Sequence, residues 1–213
     1  MYIKKNPDTE KKLISSCIEL FSTKGLKGTS IRDIANAMGM SIFNIYHHFG
    51  SKKGLMIAIL KYSFEPLFNE MKKVSELELD PLKRFKLLIQ THILTAEKRK
   101  KETFIFFHFM NEEKLSDEAT QIDRELQRKI LEIYLKEIRA LKSLGYLPHR
   151  SPTIVAFNTI AIINWFVKWY RPDGPLSVKE IIQEILSFVL YGIQQGPMES
   201  ENHDQYGREE NPF

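Results

Sequence analysis

Apolar residues recur along the chain at intervals of three and four, the spacing of amphipathic helices. Leu13, Ile14, Cys17, Ile18 and Phe21 make the first such face. Asn6 can cap that helix and Pro7 suits its first position. Asp8 and Glu10 favour the positive end of its dipole, and Gly25 after Lys24 is a stop. A second helix is predicted over about 31–38, opened by Ser30 and Asp33 as a capping box and ended by Gly39. A third starts at Ser41 and runs to about Phe49. Gly50 ends it, and Ser51 can cap a fourth over about 52–76, which Pro66 should kink or break. Further helices are predicted near 81–99, 102–111, 116–144, 153–170 and 177–194. Gly145 with Pro148, and the run Pro172-Asp173-Gly174-Pro175, mark joints between them. No alternating strand pattern, hairpin signal or internal repeat interrupts the series, so the expected fold class is all-α. From Gly196 onward the chain is polar and reads as a disordered tail.

Composition supports a folded chain: 43% of residues are hydrophobic, enough to bury a core. The most apolar stretch, 154–167, is shorter than the roughly 20 residues of a bilayer span and contains Asn158 and Asn164, so no membrane partner is expected. The lone cysteine, Cys17, cannot form an internal disulfide and sits on the apolar face of the first helix, where it reads as a small hydrophobe. With no export signal recognisable at the N-terminus, the expected compartment is the cytoplasm.

Charge changes the picture more than composition does. The net charge of +4 is uneven: residues 1–60 carry +5 and the rest sum to −1. A polyanion would be drawn to the first third of the chain. There the predicted second and third helices flank a tight turn at Gly39, which is the layout of a helix-turn-helix. Ala35 lets the two helices approach closely, and Ile31, Ile34 and Met38 can meet Ile45 and Phe49. The remaining face of the third helix would be free for the major groove of B-DNA. Ser41 and neighbouring amides could hold a phosphate, Ile42 and Phe43 could touch a thymine methyl, and Asn44 could read an adenine. Tyr46 and His47 could reach phosphates, with Lys52 and Lys53 clamping the backbone beyond. A helical hairpin that binds another protein would share the same spacing.

The run from Thr29 to Leu55 resembles the DNA-binding region of the TetR family, the tetracycline-repressor-like regulators. The matching segments are Thr29-Ser30, Ile31-Arg32-Asp33-Ile34-Ala35, Gly39-Met40-Ser41, Ile45-Tyr46-His47-His48-Phe49 and Ser51-Lys52-Lys53-Gly54-Leu55. Phe43 stands where the family usually has a small residue, and Gly54 where it commonly has an acidic one. The resemblance implies a DNA-binding head over 1–52, with Thr29, Ser30, Arg32, Ser41, Ile42, Phe43, Asn44, Tyr46, His47 and Lys52 at the interface. It implies a ligand-binding and dimerisation body over 53–195, ahead of the tail at 196–213. It further implies a homodimer on a near-palindromic operator, and a repressor released by a small molecule.

Few charges fall within the most apolar body segments, so the ligand is expected to be apolar or amphipathic. The run containing Phe104, Phe107 and Met110 is apolar almost all round and reads as buried core, while Trp165 and Trp169, one turn apart, suit a cavity or an interface. The family resemblance implies a pocket wall here, so the candidate pocket residues are Phe104, Phe107, His108, Met110, Trp165 and Trp169. The dimer surface is expected from Ile160, Ile163, Val167, Ile182, Ile185, Val189 and Ile193, on two helices that would pair with their copies. No metal or other cofactor is expected. His47 and His48 point about 100° apart on a helix, and His108 with Glu112 lacks a third ligand. No catalytic constellation is recognisable, which weighs against a helical-bundle enzyme.

Overall fold

A computed structural model describes residues 7–25, 28–105, 117–147 and 149–194. Among the described residues every regular element is a helix. In chain order these are α1 (Pro7–Lys24), α2 (Ile31–Ala37), α3 (Ile42–Phe49), α4 (Lys52–Ser75) and α5 (Pro81–Lys98). A short helical stretch, α6, covers 100–105. After it come α7 (Asp117–Ser143), α8 (Pro152–Trp169) and α9 (Val178–Gln194). The cap expected at Asn6, the joint residue Pro148, the tail expected from residue 196, and the segment containing Phe107, His108, Met110 and Glu112 lie outside the described residues.

Two cores organise these helices. The head core joins Leu13, Cys17 and Phe21 of α1 to Ile34 and Ala35 of α2 and Ile45 of α3. The body core draws on α4, α5, α7, α8 and α9, with Phe85, Tyr134, Ile163 and Phe166 among its most buried side chains. One helix belongs to both: Leu55, Met56, Ile59 and Leu60 of α4 pack in the head, while Phe64, Met71 and Val74 pack in the body. The division expected at residue 52 thus falls just before side chains that complete the head core. Pro66 sits inside α4 without breaking it. Lacking an N–H, it leaves the carbonyl of Tyr62 without its helical partner.

Ile105 of α6 is also buried in the head core, so the chain re-enters the head after leaving it. Lys101 Nζ donates to both carboxylate oxygens of Glu19 at 2.6 and 2.7 Å, tying α6 to α1. Lys53 pairs with Glu118 at 2.8 Å, tying the start of α4 to α7. Within the body, Arg84 Nε donates to the fully buried Glu137 carboxylate at 2.9 Å. Its Nη1 donates to the carbonyls of Leu77 and Leu79, so one guanidinium fixes both the α4–α5 turn and α7. No described helix is long and apolar enough to cross a membrane.

Candidate nucleic-acid interface and body cavity

The head is built by local capping. Ser30 Oγ accepts from the Asp33 amide at 3.2 Å, and the Asp33 carboxylate accepts from the Ser30 amide at 2.8 Å. This is the capping box, and it starts α2 where the sequence places it. The hydrogen bonds hold the Asp33 carboxyl below the ordinary carboxylate range. Gly39 then turns the chain at φ +60°, a left-handed conformation that costs other residues about 1–2 kcal/mol. Ser41 Oγ accepts from the Asn44 amide at 3.1 Å and opens α3, and Ser51 caps α4 through the Gly54 amide at 3.0 Å. Gly54 has a packing reason as well: a Cβ there would overlap the Phe49 carbonyl. The unusual glycine in the motif therefore closes the tight α3–α4 connection.

With Ile45 and His48 turned into the head, α3 presents its other side outward. Phe43 is 72% exposed, and Tyr46, Ser41, Ser30, Arg32 and Lys52 are also exposed. Ile42, Asn44 and His47 are half-buried, and Ile42 packs against the head core. Two expected contacts change. Thr29 is buried, and its hydroxyl donates to the Gly25 carbonyl at 2.8 Å, so it holds the α1–α2 connection instead of facing outward. Lys53 is engaged by Glu118 of the body. His48 Nδ1 lies 3.5 Å from Glu10, joining α3 to α1.

A cavity of about 610 Å³ lies in the body between α4, α5, α7 and α8. Its inner wall is apolar: Phe64 from α4, Ala96 from α5, Ile130 from α7 and Val167 from α8 are all buried. His92 adds a buried imidazole whose Nδ1 is 3.1 Å from the Tyr134 hydroxyl. Burial pushes its pKa down to about 4, so it is neutral at pH 7. Arg124, Gln127 and Arg128 of α7 and Phe157 of α8 are exposed residues that also line the space, so it opens to solvent between these helices. Arg99 completes the wall near the head, with its guanidinium over the Tyr62 ring at 5.3 Å.

The expected pocket and dimer residues are redistributed. Trp165 is 62% exposed, Trp169 and Phe104 are also exposed, and none of the three lines the cavity. Ile163, Ile182, Ile185 and Val189 are buried inside the chain, while Ile160 and Val167 line the cavity. The side chain of Ile193 is outside the described set. The outer faces carry other large apolar residues instead: Ile154, Phe157, Trp165 and Trp169 on α8, and Phe188 and Tyr191 on α9. Periodicity marked α8 and α9 as apolar, but it could not say which of their faces the other helices would cover.

Comparison with known proteins decides the family. Residues 13–59 match the family model of bacterial regulatory proteins of the tetR family, and residues 78–193 match that of the tetracyclin repressor-like C-terminal domain. The chain belongs to the TetR family. Among curated relatives of this TetR protein, the HTH-type transcriptional repressor KstR2 of Mycolicibacterium smegmatis is 29% identical over 189 residues, covering 86% of this chain and 89% of that one. Among solved structures, AibR in complex with isovaleryl coenzyme A and operator DNA superposes with a TM-score of 0.74 at 25% identity, over 84% of this chain and 96% of that one. PfmR from Thermus thermophilus gives a TM-score of 0.76 at 24% identity, over 86% and 100%, a likeness of fold.

Proposed function

We propose that this TetR-family protein is a sequence-specific, DNA-binding transcriptional repressor, released from its operator by a small apolar or amphipathic ligand held in the body cavity. The carrying observation is the head, where a capped α2, the Gly39 turn and α3 leave Phe43 and Tyr46 exposed, as are Arg32 and Lys52. An α-helix presented this way fits a major groove. Arg32 and Lys52 supply charge for phosphates, and the rigid caps hold the reading face in place.

A twofold dimer would present two such heads to the half-sites of a near-palindrome. The outer faces of α8 and α9 suit that dimer: Ile154, Phe157 and Trp165 fall on one stripe of α8, and Phe188 and Tyr191 lie one turn apart on α9. Exposed apolar patches of this kind mark association surfaces. AibR has been solved with both isovaleryl coenzyme A and operator DNA, which supports a ligand site and a DNA site coexisting on this fold. In this chain α4 spans both cores, and α6 carries Thr103 on the cavity wall and Ile105 in the head core. A ligand that reshapes the cavity can therefore act on head position, a coupling typically worth about 1–3 kcal/mol.

Fluorescence anisotropy with labelled DNA from upstream of the coding region tests the repressor. Saturable binding that weakens steeply with salt is expected, because each phosphate contact releases counterions. The double variant Tyr46→Ala/Lys52→Ala should bind at least tenfold more weakly. Absent or salt-insensitive binding by the parent chain would refute the proposal.

A further inference from the structure

We infer that the body cavity is built for an anionic amphiphile, with the apolar body inside and a carboxylate or phosphate group at the mouth against Arg124 and Arg128. This deepens the proposed function and rests on its ligand-responsive reading. Polarity is graded along the cavity. Phe64, Ala96, Ile130 and Val167 make a buried apolar floor, whereas Arg124, Gln127 and Arg128 are exposed where the space opens.

The charge at this opening is one-sided. Among the described residues Arg99, Arg124 and Arg128 line the cavity, and no Asp or Glu does. Arg99 is answered by Glu102, at 3.0 Å. Arg124 and Arg128 lie one turn apart on α7, so their side chains project from the same face. Neither makes an ion pair with another described residue within 4.0 Å. Of the two acids that flank Arg124, Asp123 is buried and accepts from Gln127 at 2.8 Å, and Glu125 is exposed and accepts from Gln121 at 3.2 Å. Two guanidiniums a turn apart are suited to a carboxylate or phosphate, which they can grip through paired N–H donors.

Size agrees with this polarity. At roughly 30 Å³ per water-sized group, 610 Å³ admits about 20 heavy atoms. That fits a medium-length apolar chain, and it leaves a bulky headgroup outside, beside the mouth. Deeper in the wall, Ser63 Oγ and Arg99 Nε are buried without hydrogen-bond partners, offering polar anchor points to a ligand that carries oxygen atoms along its body.

Isothermal titration calorimetry on the full chain tests the ligand class with three probes that share one acyl length: decanoate, decanoyl coenzyme A and decan-1-ol. At least one anion is expected to bind, with the alcohol tenfold or more weaker. Decanoate against the coenzyme A thioester separates a carboxylate head from a phosphate-bearing one. R124Q/R128Q should weaken the anions about tenfold and leave the alcohol unchanged. K83Q/K86Q, which removes the same charge from exposed positions on α5 away from the cavity, should leave both unchanged. Equal binding of alcohol and anions, insensitivity of the anions to R124Q/R128Q, or no binding of any probe would each overturn the inference. Operator binding by the same preparation, measured without ligand, keeps the two proposals apart. If it persists while anion preference fails, the repressor stands and the ligand class falls.

Discussion

His92 shows how a single side chain ties the body core to the cavity. It lines the cavity, is almost fully buried, and shares a hydrogen bond with Tyr134, a fully buried side chain of α7. Burial lowers its pKa from 6.5 to about 4. Between those values the unfolded chain takes up a proton that the folded chain does not. Stability contributed by the neutral ring is therefore complete above pH 6.5 and is lost as pH falls towards 4, on the order of 3 kcal/mol in all. The raised pKa of Asp123 acts with the opposite sign, but it is present in both proteins when the chain is compared with His92→Gln. Urea denaturation at pH 7 and pH 4.5 should show a larger loss of stability in the parent than in the variant. An equal loss in both would remove His92 from this role. Leu88, Ile89 and Ala96 place His92 on the apolar stripe of α5, but nothing local announces its hydrogen bond, because Tyr134 is 42 residues away. Cys17 is different: its place on an apolar helical stripe already indicated a packed thiol, and burial raises its pKa to about 12.

At the scale of elements, α6 carries more than its length suggests. Thr103 lines the cavity, Ile105 is buried among head residues, and Lys101 holds Glu19 of α1. Next to it, Arg99 stacks on Tyr62, whose hydroxyl is 3.4 Å from Ser15 Oγ in α1. Ile105→Ala should cost about 3 kcal/mol in chemical denaturation, as expected for a large aliphatic side chain removed from a closed core. It should also reduce the effect of ligand on operator affinity more than it reduces ligand binding, measured by anisotropy and calorimetry on the same protein. Unchanged coupling would leave α4 as the sole link. The apolar pattern indicated a helix beginning near residue 102, but could not assign Ile105 to the head, since that contact needs the chain to return from a distant part of the sequence.

For the whole molecule, the choice lies between burying a helix face inside the chain and leaving it for a second copy. Ile182, Ile185 and Val189 close the body core, whereas Phe188, at 70% exposed, and Trp165 face outward. Substitutions on the two faces should separate cleanly. Trp165→Glu/Phe188→Glu should give a folded monomer in light scattering, with operator affinity reduced by at least an order of magnitude because the half-sites are no longer linked. Ile182→Ala should lower the unfolding midpoint and leave the parent chain's oligomeric state. A dimer that survives the charged pair would place the interface elsewhere.

The described helices, the caps at Ser30, Ser41 and Ser51 and the turn at Gly39 were written in local sequence, because side-chain caps, periodicity and a positive-φ glycine act over about four residues or fewer. The motif from Thr29 to Leu55 was local for the same reason, and it carried the family. Tertiary structure alone decided the rest. It sent Thr29 inward, gave Lys53 to Glu118, and turned Ile163, Ile182 and Ile185 to the core and the tryptophans to solvent. It also set Arg124 and Arg128, two charges on a polar helix face, at the mouth of an apolar cavity. These outcomes depend on which helix faces meet, and residues far apart in the chain settle that together.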